Sequence, residues 1–253
     1  MTKELLHFQK EASEIPLRLV PEMEEVPELS AVEKQFVNFT FLRVIPEWRA
    51  LDDETKGVYK AEFAEIFESF RDDFLLFSYS LVGFDSRADL MLWRVARSLD
   101  LIQDMTARLN QTNLGRFIET ADNYLSVTRR MMFIDGPGEN RQRVRAGSAK
   151  YHFFYPCAKD QEWFEMPSEE RDKLIEENFM VGKRFPNIKI HLTHAFGFKD
   201  TEYLVSFETD EPRDFLALAE ELRRTPASKM TLRGVPIYTC RRRSLMECLD
   251  ALG

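Results

Sequence analysis

The sequence predicts an α+β fold in which two tandem ferredoxin-like repeats form a dimeric α+β barrel-like unit. Three matched anchors carry this reading. Trp48 and Trp163 stand 115 residues apart. The turns Leu81-Val82-Gly83-Phe84-Asp85 and Ala195-Phe196-Gly197-Phe198-Lys199 match through Gly83 and Gly197, 114 apart. The helix ends Leu109-Asn110-Gln111-Thr112 and Leu222-Arg223-Arg224-Thr225 match through their threonines, 113 apart. Anchors that drift by one residue each mark an internal duplication. Between them each half reads βαββαβ. One such unit leaves a sheet face uncovered, and two in one chain can bury those faces together.

Taken in order, residues 1–33 carry eight Glu against three Lys/Arg, with Pro16, Pro21 and Pro27, and read as an extended acidic arm. Its Leu5, Leu6, Phe8, Leu17 and Leu19 suit packing on a neighbouring subunit; the plain alternative is a tail. Gln35–Val44 alternates as a strand with an apolar excess on both faces, and Pro46 breaks it. A helix follows over Asp53–Phe70, with Tyr59, Phe63, Ile66, Phe67 and Phe70 at helical spacing. Strands Phe74–Gly83 and Ala88–Val95, helix Leu99–Gln111 and strand Tyr124–Arg129 complete the first half. Three Gly and one Pro within 135–148 mark the boundary. The second half offers strand Lys150–Tyr155, helix Ser168–Gly182 with Ser168 as N-cap, strands Ile188–Phe196 and Tyr203–Phe207, helix Pro212–Arg223 and strand Val235–Arg241. The divisions expected are an arm over 1–33, a repeat over 34–134, a basic linker over 135–149 and a second repeat over 150–253.

Composition bounds the function. The 253 residues are 44% hydrophobic and include 21 Phe, enough for a substantial core. A net charge of −8 argues against a general nucleic-acid binder. No apolar run approaches the roughly 18 residues that cross a membrane, and the N-terminus has no secretory apolar core. Cys157, Cys240 and Cys248 form no CxxC pair, so neither a disulfide framework nor structural zinc is expected, and a reducing cytoplasm is the natural setting. The stretch 129–150 is basic. It reads as a solvated linker or as a positive rim, including Arg143 and Arg145, that meets a ligand carboxylate.

The candidate site lies between helix 168–182 and the strands around it. Leu174, Asn178 and Val181 form one helical stripe and turn Asn178 inward. An inward Asn normally hydrogen-bonds backbone or a small ligand. On the strand, Ile190, Leu192 and His194 share one face, and His191 takes the other. Strand alternation sets His152 opposite Tyr155, a strand-end tyrosine of the kind usually found in a core. Trp48 and Trp163 occupy equivalent positions, which favours packing for both. Lys159 reads as a solvated charge or a carboxylate clamp.

Taken together, these residues resemble the chlorite dismutase and coproheme decarboxylase superfamily. The resemblance is carried by Phe39-Thr40-Phe41 with Trp48-Arg49, by Ser78–Gly83, by Leu114-Gly115-Arg116-Phe117 and by Tyr124-Leu125-Ser126. Tyr155-Pro156 with Lys159 and Trp163, and the run Gly197–Tyr203, add to it. It implies a heme or coproheme pocket in the second half and a homo-oligomer. It further implies an iron-binding histidine in a Glu-His-x-x-x-Gly pattern, which here reads Glu177-Asn178-Phe179-Met180-Val181-Gly182. The glutamate that orients that histidine aligns with Pro226. The distal arginine or glutamine aligns with Ile190, or with His191 after a one-residue shift. Tyr155 corresponds to the segment of the redox-active tyrosine, with Lys159 beside it, and Trp163 to a tryptophan near the proximal side.

Two functional readings follow. In the first, the heme site is degenerate, iron is not held through the usual position, and the chain binds a tetrapyrrole or small carboxylated ligand without redox turnover, or serves in assembly. In the second, it is a heme-dependent, peroxide-using oxidoreductase of the coproheme decarboxylase type with a replacement axial ligand, His194.

Overall fold

The computed structural model describes residues 35–128, 149–232 and 236–253. The acidic arm and most of the basic stretch, with Arg143 and Arg145, lie outside the described residues. The first half contains β1 (Phe36–Val44), α1 (Asp53–Glu68), β2 (Phe74–Ser80), β3 (Leu90–Ala96), α2 (Leu99–Gln111) and β4 (Ile118–Val127). The second contains β5 (Tyr151–Cys157), α3 (Gln161–Glu165), α4 (Ser168–Lys183), β6 (Lys189–His194) and β7 (Tyr203–Thr209). It continues with α5 (Pro212–Leu222), α6 (Pro226–Lys229), β8 (Tyr238–Arg242) and α7 (Leu245–Asp250).

The strands close into a barrel in the order β1-β3-β2-β8-β5-β7-β6-β4. Each half has the ferredoxin-like order, with its fourth strand beside its first and its third between first and second. The halves join antiparallel at both seams, through Tyr79↔Arg242 of β2–β8 and Val127↔His194 of β4–β6. Closure within one chain leaves the barrel without a free sheet edge.

Alternation along the strands separates an aromatic interior from a helix-covered exterior. Inside, Phe41 stacks on Tyr238 at 3.8 Å and Phe39 on Trp93 at 5.2 Å. Outside, Trp48, Phe63, Phe67 and Leu109 form the core under α1 and α2, and Phe153, Phe207 and Phe215 form the one under α5. The two anchor tryptophans are both fully buried, and Trp48 Nε1 donates to the Gly253 carbonyl at 2.8 Å. Gly83 and Gly197 adopt positive φ values of 81° and 78°, a conformation that favours glycine and accounts for their recurrence in both turns.

The boundaries differ from expectation in three places. Ser168 is the first helical residue of α4, not its cap: Pro167 precedes it and no side chain caps the helix. Strand β4 starts at Ile118, earlier than Tyr124, because its pairing with β1 continues to Val44. Three short helices, α3, α6 and α7, were not legible in the hydrophobic periodicity, since a single turn offers little of it. Cys157, Cys240 and Cys248 are free thiols. Among the described residues no helix is long and apolar enough to cross a membrane.

Candidate functional site

Helix α4 covers the outer face of β6 and β7, and a cavity of about 100 Å³ lies beneath it. Its walls are mostly apolar. Ile175 and Phe179 come from α4, Ile190 and Leu192 from β6, Val205 and Phe207 from β7. Lys159, Trp163 and Asn178 supply the principal polar groups, and Cys157 and Tyr203 also line it. The helix settles on β6 at Gly182, where a Cβ would stand 2.4 Å from Ile190 Cδ1.

Lys159 follows the end of β5 and is buried. Its Nζ donates to the Ala227 carbonyl at 2.6 Å and to Thr231 Oγ1 at 2.8 Å, and it sits 4.3 Å above the Trp163 ring. The Glu202 carboxylate accepts from the Lys159 backbone N–H at 2.7 Å. None of the described ion pairs includes the ammonium. Burial pushes its pKa down. Trp163 packs edge-on against Tyr203 at 6.2 Å, and its Nε1–H has no acceptor among the described residues. Asn178 turns to the cavity as the helical stripe requires, and its buried Oδ1 has no donor among the described residues.

Four of the sequence candidates, Lys159, Trp163, Asn178 and Ile190, therefore meet at one cavity. Tyr155 does not join them. It packs between Phe207 at 5.6 Å and Phe215 at 5.9 Å, under α5, and burial pushes its phenol up. His194, taken as a replacement metal and cofactor ligand, is also elsewhere. It lies at the end of β6 against Tyr203 at 5.3 Å and Phe196 at 6.2 Å, because β6 has already passed the cavity there. Arg145 lies outside the described residues.

The alternate residue, His191, points into the barrel. Its Nε2 lies 2.9 Å from Glu208 Oε2, while Glu208 Oε1 accepts from Tyr79 Oη at 3.1 Å and lies 3.9 Å from His152 Nδ1. Burial pushes Glu208 up, but its contacts with His152 and His191 outweigh this and hold it well below the usual carboxylate range. Burial pushes His152 down. This buried cluster escaped the sequence reading, which treated His152 alone as structural; the alternation that turned His191 inward was its one visible sign.

The cavity residues do not fit an axially held heme. Iron prefers imidazole, thiolate, thioether or phenolate, and α4 offers a carboxamide. Pro226, at the start of α6, has no side-chain acceptor to place behind a ligand ring. Burial pushes the Cys157 thiol up, away from thiolate, and Tyr203 is wedged edge-on between Trp163 and His194. No cluster of three or more potential metal-binding side chains occurs among the described residues.

Comparison with known proteins agrees with the fold. The chain is 26% identical to a coproheme decarboxylase of Mycolicibacterium smegmatis over 180 residues, 69% of this chain and 75% of the relative. It superposes on a chlorite dismutase from Candidatus Nitrospira defluvii in complex with imidazole, with a TM-score of 0.77, 25% identity, and coverage of 86% of this chain and 94% of that one. An arginine-to-lysine variant of that dismutase gives the same TM-score, identity and coverage. The sequence profile of the family described as chlorite dismutase matches residues 56–243, and the chain belongs to that family.

Proposed function

We propose that this family member does not hold iron through helix α4, and that its cavity binds a small carboxylated ligand, or a tetrapyrrole without axial iron ligation, and supports no redox turnover. The observation that carries this reading is the pairing of a carboxamide at Asn178 with a cavity of only about 100 Å³. The first lacks the donor that iron requires, and the second is small for a flat macrocycle. The relatives named as chlorite dismutase and coproheme decarboxylase share the fold. Their chemistry does not transfer to a site without an axial base. A homo-oligomer in a cytoplasmic setting completes the proposal, and light scattering on the purified chain tests the oligomer.

Titration with heme and with coproheme, followed by absorbance, tests the central point. The expected result is no saturable axial band. A band lost in Asn178→Ala would contradict it.

A further inference from the structure

We propose that the cavity takes a small aromatic or branched aliphatic monocarboxylic acid, with its carboxylate at Lys159 and Trp163 and its apolar body under α4. This rests on the iron-free reading above and narrows it to one class of ligand.

Size comes first. The cavity holds about 100 Å³. Pockets for drug-sized ligands hold about 300–1,000 Å³, whereas an apolar cavity of about 150 Å³ takes benzene. A short branched chain, or at most a single ring, is the scale that fits, and the walls of Ile175, Phe179, Leu192, Val205 and Phe207 are the surface it would meet.

Charge comes second. Lys159 donates to a carbonyl and a hydroxyl and lies over an aromatic face, and all three partners are neutral. The Asp160 and Glu202 carboxylates favour its charge from beyond ion-pair distance, and no counter-ion touches it among the described residues. A buried charge without a touching partner is costly, and a ligand anion supplies that direct contact.

Two unpartnered polar groups complete the arrangement. Among the described residues the fully buried Trp163 Nε1–H lacks an acceptor, and a carboxylate oxygen is one. Among them the Asn178 carboxamide also lacks a partner at Oδ1. Turned about its terminal bond it presents Nδ2 to the same anion. A neutral apolar ligand would fill the space but leave Lys159 and Trp163 as they are.

Calorimetry on the full chain with benzoate, benzamide and toluene tests this. Benzoate is expected to bind at least about tenfold more tightly than benzamide, as a charge-assisted contact requires. That preference should vanish in Lys159→Met and in Lys159→Gln, and shrink in Trp163→Phe. Equal binding of benzoate and benzamide, a preference that survives both Lys159 variants, or no benzoate binding would each overturn the proposal. Coproheme titration of the same preparation separates the two levels. No benzoate binding with no axial band removes this proposal and leaves the iron-free reading standing. An axial band lost in Asn178→Ala removes both.

Discussion

Gly182 of α4 and Ile190 of β6 meet without an intervening side chain: a Cβ on Gly182 would stand 2.4 Å from Ile190 Cδ1. The tip of the Ile190 side chain therefore lies against the helix backbone one turn beyond Asn178, whose carboxamide lines the cavity.

Substitution at Gly182 probes that contact. Only the tip of Ile190 is in the way, and turning it aside costs about 0.5–1.5 kcal/mol. Alanine returns about 1 kcal/mol through helix propensity. Gly182→Ala should thus stay within about 1 kcal/mol of the parent in urea unfolding. Gly182→Leu overpacks the seam and should lose about 1–3 kcal/mol.

Restoring the axial base alone is not expected to restore heme binding. Asn178→His with Pro226→Glu supplies an imidazole and an acceptor, but leaves Ile190 against the helix. Adding Ile190→Ala should be what produces a saturable absorbance band. A full band in the double variant would show that the seam yields to a porphyrin unaided.

Acid should destabilise the fold through the interior cluster. Glu208 and His152 both have folded-state pKa values below their ordinary ones. For the histidine, the stability that goes with this is complete above about 6.5 and is lost as pH falls toward its folded value. For the carboxylate it is complete above about 4.5 and is lost at still lower pH. Thermal unfolding between pH 8 and 3 should show a falling melting temperature that begins near the histidine range. Glu208→Gln should flatten the lower limb of that curve, and Glu208→Ala, which removes the acceptor of Tyr79 Oη and the carboxylate beside His191 Nε2, should cost about 3–5 kcal/mol.

Tyr155→Phe should change little. The ring is held by Phe207 and Phe215 and does not line the cavity. Unfolding within about 0.5 kcal/mol of the parent, with unchanged ligand titrations, is the expected result. A large loss of binding would return Tyr155 to the site.

Most of the architecture was legible in the chain. The recurring Trp48 and Trp163, Gly83 and Gly197 gave the duplication because each is tied to a fixed place: two fully buried indoles and two turns of positive φ. Period-two alternation placed Ile190 and Leu192 on the cavity wall and His191 inside the barrel. It could not say how far along β6 the cavity extends, so His194 was grouped with residues it does not accompany. Contacts between distant segments were equally invisible. The hold of Lys159 on Ala227 and Thr231, and that of Glu208 on Tyr79, join residues far apart in sequence, and local pattern does not encode them. Tyr155 was misplaced for a related reason: it shares a strand face with Cys157, which does line the cavity, but α5 covers it.

The most direct measurement is an absorbance titration of the unmodified chain with coproheme and with heme. The structure predicts a featureless, non-saturating response that Asn178→Ala leaves unchanged. A sharp, stoichiometric Soret band that Asn178→Ala abolishes would mean that this helix does bind iron.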